Sequence, residues 1–179
     1  MTSDRRDADP DPYSVTREIA LKALDRRAYA RAELGDYLAR KGAAVDVIGR
    51  VLDRFEEVGL IDDGAFASQW VESRHRVRRL PRRALVAELR RKGLEEDVIN
   101  RAVSVVDQEA EARAARDLAE AKAGSVAGLP PDTALRRLVG MLGRRGFNGE
   151  LAWSTAKDVL AERDDPAGVG REPQGWGPE

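Results

Sequence analysis

Two leucines four residues apart, followed by a basic pair and a glycine, return three times along the chain. They are Leu34, Leu38, Arg40, Lys41 and Gly42; Leu85, Leu89, Arg91, Lys92 and Gly93; and Leu138, Leu142, Arg144, Arg145 and Gly146. Residues four apart share one face of a helix, and a glycine after the basic pair can end that helix in a left-handed cap. After each glycine the apolar positions resume with helical period: Val47, Ile48, Val51, Leu52 and Phe55; Val98, Ile99, Ala102, Val103 and Val106; Leu151, Ala152, Ala156, Val159 and Leu160. The glycines are 51 and then 53 residues apart, and a repeat of that length signals stacked helical units.

The pattern predicts an all-α fold, an elongated, curved array of three tandem three-helix repeats. Helices are expected over 17–28, 31–41 and 45–58, with Gly59 closing the first group. The second group opens at Asp62 or Asp63, either of which can cap the first turn, and carries Phe66, Trp70 and Val77 on one face. Pro81 then starts a helix at a position where its missing N–H costs nothing. Leu85 and Leu89 point inward there, and at 100° per residue Arg83, Ala87 and Arg90 point away. A helix through Val98 to Val106 follows Gly93, with Glu95 and Glu96 in its first turn. The third group is expected over 109–122, 133–145 and 149–161. The predicted domains are 16–62, 63–107 and 108–162, flanked by Pro-rich, polar tails at 1–15 and 163–179 that hold too little apolar surface to offset the entropy of ordering.

Composition agrees with wide solvated helix faces: 42% of residues are hydrophobic, 35% charged and 5% aromatic. There is no cysteine, which removes disulfides, thiolate nucleophiles and cysteine-held zinc and suits a reducing compartment. No apolar run approaches the roughly 20 residues needed to span a bilayer. A cytoplasmic protein that does not engage membranes is therefore expected. The net charge is only −1, yet nine Arg or Lys residues face a single acid, Glu88, between Arg74 and Lys92. Acids gather on either side, at Asp53 to Asp63 and at Asp107 to Glu120. The charge is arranged in blocks.

Catalytic chemistry is hard to assemble from this inventory. His75 is the only histidine, so neither a multi-histidine metal site nor a histidine-relayed serine site can be built within the chain. No phosphate-binding G-x-x-x-x-G-K-[ST] loop occurs, and Gly140, Gly143 and Gly146 do not stand between a strand and a helix. No catalytic residue, cofactor or metal site is expected.

The segment from Gly59 to Leu94, GLIDDGAFASQWVESRHRVRRLPRRALVAELRRKGL, resembles the signature region of the RecX family, regulators of the RecA recombinase. The matching elements are GLIDD at Gly59 to Asp63, F-A-x-x-W at Phe66 to Trp70, Arg74, and E-L-R-x-K-G from Glu88 to Gly93. R-R-G-F at Arg144 to Phe147 is similar to that family too, so the resemblance covers about Arg17 to Ala161. It implies a protein, expected to be monomeric, that lies along the groove of a RecA filament on single-stranded DNA, inhibiting ATP hydrolysis and strand exchange and limiting filament growth.

Under this reading the partner-binding residues, for filament or DNA, are Arg74, Arg78, Arg79, Arg82, Arg83, Arg90, Arg91 and Lys92. Such residues complement acidic protein patches or phosphates. The bland alternative is an arginine-rich composition scattering cations over any solvated helix, which explains the number of arginines but not the near-absence of acids among them. Phe66, Trp70 and the GLIDD segment read as architecture, while Trp153 suits core or surface equally. Two other functions stay open. A helix-turn-helix DNA reader should concentrate Asn, Gln and Ser on one recognition helix, and none occurs between Pro81 and Lys92. A helical scaffold for some other protein fits the physics as well, and weak contact with single- or double-stranded DNA fits either.

Overall fold

The computed structural model describes residues 11–164. Asp11 opens its first helix: the Asp11 carboxylate accepts the backbone N–H groups of Tyr13 and Ser14 at 3.4 and 3.2 Å. Pro12 occupies the first helical position, where no N–H is needed. The helix α1 (Pro12–Leu24) therefore begins ahead of the expected Arg17 and ends before the expected Ala28. Asp-Pro is a helix-start signal as well as a mark of unordered composition, and here capping decides. The remaining expected tail positions, 1–10 and 165–179, lie outside the described residues.

After α1 come α2 (Arg31–Arg40), α3 (Val45–Glu57), α4 (Asp63–Arg78), α5 (Arg82–Arg91), α6 (Glu96–Val103), α7 (Gln108–Ala123), α8 (Pro131–Arg145) and α9 (Gly149–Asp164), with a short 3₁₀ turn at Gly124–Val126. No strand occurs among the described residues. The all-α expectation holds. The helix after Gly93 is shorter than expected, ending at Val103, although Val106 is still buried.

The chain forms two units, and all three boundaries between them fall inside or beside helices of the second repeat. One unit comprises the described residues up to Glu72 together with Val86–Ser104. Its core is built from Ala20 and Ala23 of α1, Leu34 and Leu38 of α2, and Ile48, Val51, Leu52 and Phe55 of α3, closed by Ile61. The other unit comprises Ser73–Leu85 and the described residues from Val105 onward. There the alanines 114, 115 and 119 of α7 leave room for close approach of Leu142, Phe147, Ala152 and Val159. Ala134 and Leu138 of α8 pack with Val126, Ala156 and Leu160. Small side chains on α7 and α9 replace the bulky ones of the first unit.

The repeat is visible in burial and in backbone geometry together. All six motif leucines are at most 1% exposed. Gly42, Gly93 and Gly146 have φ of +88°, +79° and +101°, the left-handed caps that the pattern predicts. In each copy the N–H after the glycine returns to the carbonyl of the second leucine, from Ala43 to Leu38, Leu94 to Leu89 and Phe147 to Leu142. That bond satisfies a carbonyl the helix end would leave unpaired.

On α4 the expected face is kept but is not buried along its whole length. Phe66, Ala67 and Val71 are buried, whereas Val77 is 70% exposed. Eleven residues at 100° each return Val77 to within about 20° of the Phe66 stripe, so the two share a face whose last turn is left uncovered. The packing partners of Phe66 do not extend to the last turn.

Candidate functional site

The basic segment begins on the last turns of α4, in the second unit. Arg74 is half-buried and Arg78 exposed, and the Arg78 carbonyl accepts a hydrogen bond from Arg145 Nη1 at 2.8 Å. Arg79 has φ of +54°, the one non-glycine positive φ among the described residues. Its guanidinium bonds back to the Arg76 carbonyl, and Nε meets Asp117 of α7 at 2.7 Å. This arginine holds the turn between α4 and α5.

Arg82 and Arg83 then occupy the first turn of α5, which contains no acid. Cations there oppose the positive end of the helix dipole, so the placement works against stability. Compensation comes from elsewhere: Glu111 of α7 accepts the Arg82 backbone N–H at 2.5 Å. Both side chains are exposed. Like that of Arg78, they have no acidic partner among the described residues.

Arg90, Arg91 and Lys92 belong to the first unit and divide among three roles. Arg90 makes a two-pronged pair with Glu96, Nε to Oε1 at 2.5 Å and Nη2 to Oε2 at 2.9 Å. The hydrogen bonds raise the Arg90 pKa and lower that of Glu96. Both groups stand in water, where such a pair contributes little. Arg91 is exposed and has no acidic partner among the described residues. The Lys92 side chain is only 17% exposed. Its ammonium lies 2.8 Å from Glu33 Oε1 of α2 and 4.5 Å from the centre of the Trp70 ring. Trp70 stacks on Phe66 with centroids 5.7 Å apart and donates its indole N–H to Glu88 at 2.8 Å.

Lys92 is thus committed to the interior of the first unit. Glu33 is its anchor. Partial burial opposes ionisation of Glu33, but hydrogen bonds from Arg27, at 3.0 Å to each oxygen, and from Lys92 outweigh it and hold the carboxyl below the ordinary glutamate range. Arg27 in turn lies 3.5 Å over the Tyr29 ring, a cation–π contact.

The second unit holds two open grooves. One, of about 400 Å³, has His75, Arg76, Arg79, Arg113, Arg116 and Asp117 on its walls. It is largely neutralised, because Arg79 pairs with Asp117, Arg113 with Glu109, and Arg116 with Glu120 and Glu162. The other, of about 530 Å³, carries Lys122, Arg136, Arg137 and Arg144 and no acid. Sequence reasoning centred on the first basic run misses it. Its signal is nevertheless present: no Asp or Glu occurs between Asp132 and Glu150. Among the described residues no cluster of His, Asp or Glu is placed to hold a metal ion, and no helix is long and apolar enough to cross a membrane.

Comparison with known proteins fits this repeat geometry. Residues 17–55, 62–103 and 109–155 match in order the family descriptions "RecX, first three-helix domain", "second three-helix domain" and "third three-helix domain". The chain belongs to the RecX family. The Regulatory protein RecX of Streptomyces lividans is 45% identical over 155 residues, 87% of this chain and 82% of that protein. That of Thermobifida fusca is 42% identical over 165 residues, covering 88% and 89%. Both relatives are named as regulatory proteins. The crystal structure of RecX from Lactobacillus salivarius superimposes with a TM-score of 0.74 over 83% of this chain and 97% of that one, at 18% identity, and so shares the fold. In RecX terms, α1–α3, α4–α6 and α7–α9 correspond to the three family domains, and the resemblance carried by the GLIDD segment is shown along the whole repeat region.

Proposed function

We propose that this RecX chain regulates the RecA recombinase by binding its filament on single-stranded DNA, slowing ATP hydrolysis and strand exchange and limiting filament growth. The observation that carries the reading is family membership through all three domains in order. The exposed cations supply a physical means: Arg78, Arg82 and Arg83 in the second unit and Arg91 in the first are free to meet acidic protein surface or phosphate. Of the remaining members of the basic segment, Arg74 and Arg79 lie in the second unit and Arg90 and Lys92 in the first. A monomeric, cytoplasmic regulator is the corresponding form.

The decisive assay is the DNA-dependent ATPase of the cognate RecA. Saturating protein should slow it in proportion to filament occupancy; an unchanged rate overturns the proposal. A paired titration distinguishes the DNA-reader alternative. At one physiological salt concentration, because affinities at different salt are not comparable, the chain should bind a RecA-coated oligonucleotide more tightly than the bare strand.

A further inference from the structure

We infer that the groove of the third repeat, between the end of α7 and one face of α8, is a binding site for the phosphodiester backbone of a nucleic-acid strand, read without regard to base sequence. Four cations, Lys122, Arg136, Arg137 and Arg144, stand around about 530 Å³ of open space with no carboxylate among the lining residues. In the neighbouring groove of the same unit, by contrast, Arg79, Arg113 and Arg116 are each paired with an acid. Like charges gathered without counter-charge repel one another. Their grouping is relieved when an anion enters.

The lining narrows the class of anion. Ser125 and Thr133 add hydroxyls beside the cations, and Arg, Lys, Ser and Thr are the set that contacts phosphate and sugar. The neighbouring groove differs in carrying Asp117 among its cations. No aromatic lines the cationic groove, so bases have no stacking platform. No Asn or Gln lines it either, which removes the usual adenine-reading amides. The groove is open along α8, where Arg137 and Arg144 lie seven residues apart on one stripe, and it suits a continuous chain better than an enclosed small molecule. The inference does not require the recombinase, and its test is made on bare strands so that it stands or falls separately.

The experiment measures fluorescence anisotropy of labelled oligo(dT) and of a mixed-sequence strand against the full chain over a range of salt. Arg137→Gln with Arg144→Gln should weaken binding roughly tenfold or more and flatten the salt dependence by about 1.4 in log–log slope, since each phosphate contact on a single strand contributes about 0.7. Lys122→Gln, on a different helix, should act in the same direction by half as much, and supplies the answer if the double variant does not fold. Arg113→Gln in the paired groove should leave affinity unchanged. Unchanged affinity in both groove variants overturns the site. A preference of roughly tenfold or more for one strand sequence overturns backbone reading, and tighter binding of poly-glutamate than of oligo(dT) assigns the groove to acidic protein instead.

Discussion

Asp63, at the first position of α4, accepts the backbone N–H of Arg31 at 2.7 Å and so caps a helix that begins 32 residues earlier in the chain. Its neighbour Asp62 caps α4 itself, accepting the Ala65 N–H at 2.9 Å. The pair divides its work between two helices. The same device recurs one repeat later, where Asp107 caps α7 through Ala110 at 2.7 Å and Glu111 reaches the Arg82 N–H of α5. In each case the second helix of a repeat lacks a cap of its own in sequence and receives one from the first helix of the next repeat. α8, with no repeat after it among the described residues, starts instead at Pro131.

Removing either acceptor should therefore loosen a helix distant in sequence. Asp63→Ala is expected to cost about 1 kcal/mol and to raise amide exchange at Arg31 without changing it at Ala65, whereas Asp62→Ala should do the reverse. Glu111→Ala should act on the Arg82 amide. Exchange confined to the mutated helix in every case contradicts the shared capping.

Substitution of the three motif glycines should separate capping from packing. Alanine at Gly42 meets nothing within 4 Å and should cost only the left-handed penalty of about 1 to 2 kcal/mol. At Gly146 the new Cβ would lie 3.2 Å from Ala84 Cβ, and at Gly93 it would lie 2.5 Å from Ala32 Cβ, a distance that forces backbone movement. The expected order of stability loss in urea titrations is Gly93, then Gly146, then Gly42. Equal losses at all three would falsify the packing role of the second and third.

Acid sensitivity should report Glu33. Because its folded pKa lies below the ordinary value, its contribution is fully present above about pH 4.3 and disappears as pH falls through the lower folded value. Glu33→Gln should flatten the acid limb of the stability profile, with the gap to wild type largest near neutrality and closing in acid. Lys92→Met, which strips one partner from a half-buried carboxylate, should cost about 1 to 3 kcal/mol. A profile identical to wild type in both variants would remove Glu33 from the set of stabilising groups.

Arg83 offers the opposite test. It is exposed and sits unfavourably against the α5 dipole, so Arg83→Glu should leave the thermal midpoint equal or slightly higher while reducing inhibition of RecA ATPase. Loss of fold, or full inhibition by a folded variant, would contradict its assignment to the partner surface.

The hydrophobic period by itself determines most of the architecture. Leu34, Leu38, Leu85, Leu89, Leu138 and Leu142 are interior because a four-residue spacing admits one buried face, and the glycines after them are left-handed because no other residue adopts that cap at so little cost. The outward direction of Arg83 and Arg90 follows from the same 100° step. What the chain order could not supply was the environment of each charge. Lys92 and Arg91 are adjacent and chemically alike, yet Glu33 and the Trp70 ring, far away in sequence, enclose one and leave the other in water. Asp62 and Asp63 are indistinguishable as caps until the N-terminus of α2 is brought alongside. Val77 keeps the helical stripe of Phe66 but lies beyond the reach of the surface that covers it. Periodicity is a property of one helix, whereas burial and ion pairing depend on which second helix arrives, and only the folded chain decides that.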